Sequence, residues 1–370
     1  MDTVSKYAPG EHPDLKPPIG QTGLLLWLRE NFFSSPFNVI STFVTLYFLY
    51  LIIPPMVGWL FVDAVFVADS RVHCRELGSG ACWGFIDKRL GQFTYGFYPV
   101  EERWRVNLTF ILFIFATLAV LWDKMPKRRS WLWLSLAFPF LAAWLLLGGF
   151  GLKEVGTDQF GGFMLTMVIG VTGIVFSLPL GILLALGRQS NLHFIRWLCT
   201  GFIEFFRGVP LITLLFVAST MLNYFLPPGT TFDLLLRVLV MVILFSAAYL
   251  AEVVRGGLQA IPKGQHEAAD AMGLKYWASM RLVVLPQALK ISIPGIVNSF
   301  IGLFKDSTLV IIIGLLDPLG IGRASLSDSK WQSLSTEVYV FIALFFFVCC
   351  FSMSRYSIYL ENKLHTGHRN

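Results

Sequence analysis

The sequence predicts an all-α membrane protein with about eight transmembrane helices, and three observations carry that expectation. Of its 370 residues, 55% are hydrophobic and 14% charged, with a mean hydropathy of +0.65; a soluble domain carries roughly 25% charged residues. The apolar residues gather into charge-poor runs, and about 20 such residues in a helix cross a bilayer. Lys and Arg concentrate in alternate connections between the runs, the bias that orients multi-span proteins. A soluble enzyme is thereby excluded. So is a disordered chain, because 34 Phe and 11 Trp leave too much apolar surface to solvate.

The first twenty residues hold three acidic residues, four prolines and no apolar run, so they are no signal-peptide core, and the N-terminus is expected in the cytoplasm. Leu24 to Phe33 (LLLWLRENFF) reads either as an interfacial helix on the inner leaflet or as an extension of the first span. Spans are expected at Phe37–Val62, Val106–Trp122, Trp131–Phe150, Phe163–Leu186, Pro210–Phe225, Leu234–Val254, Ile291–Leu316 and Val338–Ser354. An even number puts both termini on one side. Inner connections then collect Lys124, Lys127, Arg128, Arg129, Arg188, Arg196, Arg207, Arg255, Lys263, Lys275, Arg281 and Lys290, which gives an N-in, C-in topology. The net charge of +6 and pI of about 9.1 reflect these loops and not a nucleic acid partner.

The chain divides by character. Residues 1–36 form a cytoplasmic segment with the interfacial helix, and 37–157 an accessory three-helix module with a periplasmic loop near 68–105. Residues 158–361 are the working core, with long inner loops of mixed charge, and 362–370 a cytoplasmic tail. Gly170, Gly173 and Gly181 in the fourth span suit close helix packing. Of five cysteines, only Cys74 and Cys82 sit in the outer loop, where an oxidising compartment would join them; the alternative is two free thiols. His266, Glu267 and Asp270 imitate a zinc-protease motif but lack the second His at i+4, so no metal site is expected. No Gly-Lys dipeptide occurs, hence no P-loop, and no ATP hydrolysis or other enzyme activity is expected of this chain.

The segment Arg255 to Lys290 between the sixth and seventh spans is too ordered in pattern for a linker. After Pro262 and Gly264 a helix-forming run ends at Gly273, a residue suited to the left-handed position that closes a helix. A second helix then carries Trp277, Met280, Val283 and Val284 toward the membrane and meets Pro286, and the short Gly-capped helix is expected to join the next span by a sharp corner. Such a short helix can pass rigid-body motion from another subunit; read on its residues alone, it is equally a surface helix without a partner.

The run from Glu267 to Pro286, EAADAMGLKYWASMRLVVLP, resembles the EAA signature of ABC importer permeases: Glu267, Ala268 and Ala269, then Gly273, then Leu285 and Pro286. Val283 stands where that signature usually has Ile. The flanking IPKGQHEAA, IEFFRGVPL (Ile203 to Leu211), AYLAEVVRGG (Ala248 to Gly257) and KDSTLV (Lys305 to Val310) resemble segments of the polar amino acid branch. The last of these has Ser and Thr exchanged. The resemblance covers about Gly162 to Glu361, and RENFFSSPFN with the extra spans resembles the M-type subunit of general L-amino acid importers.

It implies a five-helix permease core of the MetI-like fold, with energy entering at Glu267 to Gly273. It also implies an ABC ATPase dimer that brings ATP and Mg, a second and different permease chain, a periplasmic amino acid binding protein, and no cofactor in this chain. Membrane lipid is the remaining partner.

Lys305 to Thr308 interrupts the apolar seventh span, and interrupted helices are a recurrent way for transporters to hold charged ligand groups. Asp306 could meet an α-ammonium group and Ser307 or Thr308 a carboxylate; equally, Lys305 and Asp306 could cap the span at the interface. Asn223, Ser246, Asn298 and Arg237 are further pathway candidates or helix bridges. Glu204 with Arg207 and Glu252 with Arg255 are spaced i, i+3 and expected to pair at the inner face. The rival readings are a non-conducting structural permease subunit and an ion-coupled transporter, which would need paired carboxylates deep in the spans where Asp306 stands nearly alone.

Overall fold

In a bilayer each backbone polar group must be satisfied within its own segment, and this chain answers with helices. The structure, a computed structural model, describes residues 23–221, Tyr224, Pro227 and 232–364. Among these the β pairings are two isolated bridges, Val65 with Cys82 and Gly149 with Leu152. Helix α1 (Gly23–Phe32) is separate from α2 (Pro36–Val57), because Ser35 caps α2 by accepting from the Asn38 N–H at 3.2 Å and Pro36 fits the first turn. A π turn, Gly58–Val62, extends α2. No residue of α2 is buried. Short helices α3 (Arg71–Leu77) and α4 (Gly84–Tyr95) lead to the hairpin α5 (Arg103–Leu121) and α6 (Arg128–Leu147).

The core is built on α7 (Gly162–Arg188), which packs along α10 (Leu234–Gln259), with α13 (Leu285–Asp306) laid across both. Gly181 makes the close approach possible. A Cβ there would stand 2.8 Å from the Leu250 Cβ and 3.1 Å from the Ala247 carbonyl oxygen. The bundle is completed by α15 (Ser335–Leu364) against α13.

Among the described residues seven helices are long and apolar enough to span a membrane, and a bent pair would make an eighth span. The expected fifth span, Pro210–Phe225, is helical over its described part from Leu211 to Met221, but that piece alone is too short to cross a bilayer. Helices α8 (His193–Gly208) and α9 (Leu211–Phe216, continued by a π turn to Met221) meet at 100°. Pro210 causes the break: it forces Val209 into an extended conformation (φ −104°, ψ 132°) and cannot donate to α8. Asn223 lies outside the described residues, as do 1–22 and the tail beyond Leu364.

The region near 68–105 is not a free loop. Cys74 and Cys82 are joined by a disulfide, with their Cα atoms 5.8 Å apart. The segment packs on α14 (Pro318–Ser325), a helix the sequence reading did not foresee, and on the start of α15: Phe85 meets Trp331, Arg89 meets Asp328 at 2.5 Å, and Glu337 accepts from the Cys82 N–H. This end of the bundle also holds Gly162 and Asp233, the starts of α7 and α10. The opposite end holds the α5–α6 turn, where Asp123 pairs with Lys363 of α15.

Asp317 caps α14, accepting from the Gly320 N–H at 2.8 Å, and is fully buried with its Oδ2 unpartnered. Burial pushes its carboxyl up to about 6 from the ordinary 3.8. A raised carboxyl favours folding in its protonated form, so this contribution is complete below about pH 4 and is lost as the pH rises through about 6. Thermal unfolding in detergent should therefore show stability falling between pH 4 and 6.5, and Asp317→Asn, which keeps the cap, should flatten that fall. At the α7–α10 seam, Gly181→Ala should destabilise by about 1–3 kcal/mol. Gly201→Ala on α8, where a Cβ meets nothing, should not, and equal unfolding temperatures for the two variants would refute the seam.

Candidate functional site

The EAA segment forms α11 (Lys263–Ala271), at the bundle end opposite the disulfide. Pro262 begins it and Gly273 closes it at φ +73°. The Leu274 N–H bonds the Ala269 carbonyl at 3.1 Å and the Gly273 N–H bonds that of Asp270 at 2.9 Å, a Schellman closure. Only Ala269 of α11 is buried; Glu267, Ala268 and Gly273 are exposed, and Met272 is 81% exposed beside Trp277 at 68%. The face is thus anchored by one small residue and presents a carboxylate, alanine and large apolar groups outward.

No corner forms at Pro286. From α12 (Tyr276–Ser279) the chain runs through a π turn, Met280–Val284, straight into α13. In that turn the Leu285 N–H reaches back five residues to the Met280 carbonyl, a widened register that admits Pro286 without a break. Leu285 is half-buried and Pro286 exposed, while Met280 and Val284 pack with Leu250, Val254 and Leu258 of α10. The chain turns at Gly273 instead, so Tyr276–Ile313 is one continuous helical unit of 38 residues.

Close to this end the charges cross-link α7, α8 and α10. Arg188 of α7 binds Glu252 of α10 at 2.6 Å and Glu204 of α8 at 2.8 Å. Arg255 binds Glu252 at 2.9 Å, as its i, i+3 spacing allows. The expected Glu204–Arg207 pair does not form: Arg207 turns to Glu252 at 3.7 Å and lies 5.7 Å over the Tyr249 ring. Spacing along α8 could not reveal Arg188, which a different helix brings in and which wins Glu204 because it bridges two carboxylates at once.

At the far end of α13, the helix tightens to a 3-10 stretch, Ser307–Ile313, without unwinding. Ser307 is buried and donates to the Phe304 carbonyl at 2.7 Å; Thr308 donates to that of Lys305 at 2.9 Å. Both hydroxyls are thus spent on their own helix. Asp306 is half-buried and makes no hydrogen bond or ion pair among the described residues. Asn298 and Lys305, seven residues apart and so on one helix face, are both exposed along a membrane span. Ser246 is buried on α10, and no contact joins it to Asn298 or Asp306. Arg237 is a helix bridge, donating to the carbonyls of Ala218 and Ser219 at 2.9 and 2.7 Å. No cluster of three metal-ligating side chains occurs among the described residues.

A family model described as the inner membrane component of binding-protein-dependent transport systems matches residues 177–366. The glutamate/glutamine/aspartate/asparagine transport system permease protein BztC of Rhodobacter capsulatus is 47% identical, over 95% of this chain and 96% of that protein. The inner membrane amino-acid ABC transporter permease protein YhdY of Escherichia coli is 48% identical, over 96% of this chain and 97% of its own length. A crystal structure described as an amino acid ABC transporter with histidines aligns with 54% of this chain and 91% of its own, at 28% identity and a TM-score of 0.48. The importer-permease resemblance read from EAADAMG and its flanking segments is borne out over nearly the whole length, accessory spans included. The chain belongs to the family of binding-protein-dependent transport system inner membrane components, and is a multi-pass protein of the inner membrane.

Proposed function

We propose that this chain is a permease subunit of an ATP-driven importer for polar L-amino acids, of the general L-amino acid type. A periplasmic binding protein delivers the substrate, an ABC ATPase dimer supplies ATP hydrolysis, and a second, different permease chain completes the pathway. The end carrying α11 faces the cytoplasm, and the disulfide-clipped segment faces the periplasm. The relatives named for amino acid transport support the substrate class.

The observation that carries the mechanism is the exposed α11, joined through the turn at Gly273 to a helical unit that carries Asp306. At 1.5 Å per residue that unit is roughly 55 Å long, so a small rotation where an ATPase grips α11 moves the membrane-depth residues as one body. Glu267 and Ala268 form the gripped face, anchored by the buried Ala269, and the Arg188–Glu252–Glu204 network holds α7 and α8 to the same motion. The exposed stripe of Asn298 and Lys305, with Asp306 beside it, faces the second permease and the substrate path. Ionisable side chains at this depth call for a polar counterpart.

Gly273→Asp puts charge and a strained left-handed residue at the turn; uptake into vesicles should fall at least tenfold with membrane insertion and expression unchanged. Normal uptake by that variant would refute the coupling role. Ser307 and Thr308, bonded to their own helix, favour a second reading in which this chain conducts nothing and only supports its partner. Asp306→Asn separates the two. A carboxylate that binds an ammonium group contributes about 1.5–3 kcal/mol, so the conducting reading expects KM to rise roughly 10- to 100-fold. An unchanged KM and rate would establish the supporting reading.

A further inference from the structure

The α5–α6 hairpin does not interdigitate with the core. Between it and the α7–α10 pair lies a crevice of about 580 Å³, with walls that include Phe113, Ala143, Val168 and Leu239. Thr109 contributes the crevice's buried hydroxyl, which is satisfied within its own helix by the Arg105 carbonyl. Along α7 the lining extends from Met164 to Phe176, twelve residues or about 18 Å of helix. That is close to half of a hydrocarbon core of about 30 Å, so the crevice is one leaflet deep.

Its upper end is closed. Val106, Leu146, Val155, Phe160, Met164 and Leu235 belong to one buried cluster that joins the hairpin to the core there. That roof lies at the end that also holds Thr157 and Asp233, so an occupant enters from the side, beneath it. Phe140 and Leu236 line the crevice yet are 70% and 47% exposed, so it opens sideways to the bilayer. A void this large at hydrocarbon depth would forfeit its lining's dispersion contacts, and lipid is the solvent at hand.

The membrane-boundary end is polar and acidic. Thr157 donates to Asp233, whose other oxygen accepts from the Leu236 N–H at 2.9 Å; both side chains line the crevice, and both hydrogen bonds are exposed. A carboxylate there complements a cationic headgroup and repels an anionic one.

We infer that this crevice is a phospholipid site, with one acyl chain between the hairpin and α7–α10 and an amine-bearing headgroup against Thr157 and Asp233. The lipid completes the packing between the accessory helices and the core.

The test uses the intact complex in nanodiscs with phosphatidylethanolamine or phosphatidylglycerol carrying a mid-chain diazirine, followed by peptide mapping after illumination. Adducts of the ethanolamine probe on Phe113, Val168 and Leu239 should exceed those on α2, which samples bulk lipid, by about tenfold. Val168→Trp, which fills the crevice, should remove that excess and leave labelling of α2 unchanged. Asp233→Asn should bring the two probes to equal labelling. Crevice adducts at or below the α2 level in the wild-type protein would overturn the site, whether or not the Trp variant folds. Equal labelling by both probes in the wild-type protein would overturn the headgroup assignment. Uptake is not read, so failure of the amino acid reading would leave these outcomes unaffected.

Discussion

The distance at which α7 and α10 meet sets the frame to which the other helices are fitted. Lipid tails are as apolar as leucine, so these helices gain nothing from burial alone and must gain it from contact. Gly173 and Gly181 on one side, and Ala247 and Ala251 on the other, bring the backbones close enough for that contact to be continuous. With the seam fixed, Leu303 and Phe304 of α13 seat against Gly173 and Gly170. A Cβ at Gly170 or Gly173 would press on the Phe304 ring at 2.9 Å or on the Leu303 methyls at 3.0 and 3.1 Å, so those side chains would have to give way.

A second constraint acts at the two ends of the bundle. At one end the 65–98 segment is held to α14 and α15 by the Phe85–Trp331 contact, the Arg89–Asp328 pair and the Glu337 carboxylate. At the other, the Tyr356 hydroxyl donates to the Leu121 carbonyl and Lys363 meets Asp123. The accessory helices are therefore tied to the core near its boundaries and stand away from it between them. Polar ties suit the boundaries, where they can form without desolvating charge in hydrocarbon. The interior is left to apolar filling.

The helical unit from Tyr276 to Ile313 joins these constraints to function. A π turn absorbs Pro286, where an α-helical register would have left a carbonyl without its donor, so the unit stays stiff where the sequence invites a bend. The chain turns instead at Gly273, before that unit begins. The Arg188, Glu204, Glu252, Arg207 and Arg255 network lies at the bundle end that carries α11 and links α7, α8 and α10.

The sequence by itself determined what depends on composition and local spacing. Charge-poor runs located most of the spans within a few residues; Gly273 at the close of α11 was legible because only a residue tolerant of positive φ fits there; and EAADAMG with its flanking segments was specific enough to give the family. Tertiary structure alone decided what depends on distant partners. Arg188 reaches Glu204 from 16 residues away and Glu252 from 64, so no i, i+3 rule could find it, and the same rule paired Glu204 with Arg207 wrongly. The 100° bend at Pro210 stands at the start of the expected span, where hydropathy, blind to direction, does not show that α8 leads into it at an angle. The region near 68–105 looked like a loop because its buried face, Phe85, Ile86 and Phe93, finds its complement only in Trp331, Leu334 and Val338. Periodicity tells which residues seek cover. Only the assembled fold tells what covers them.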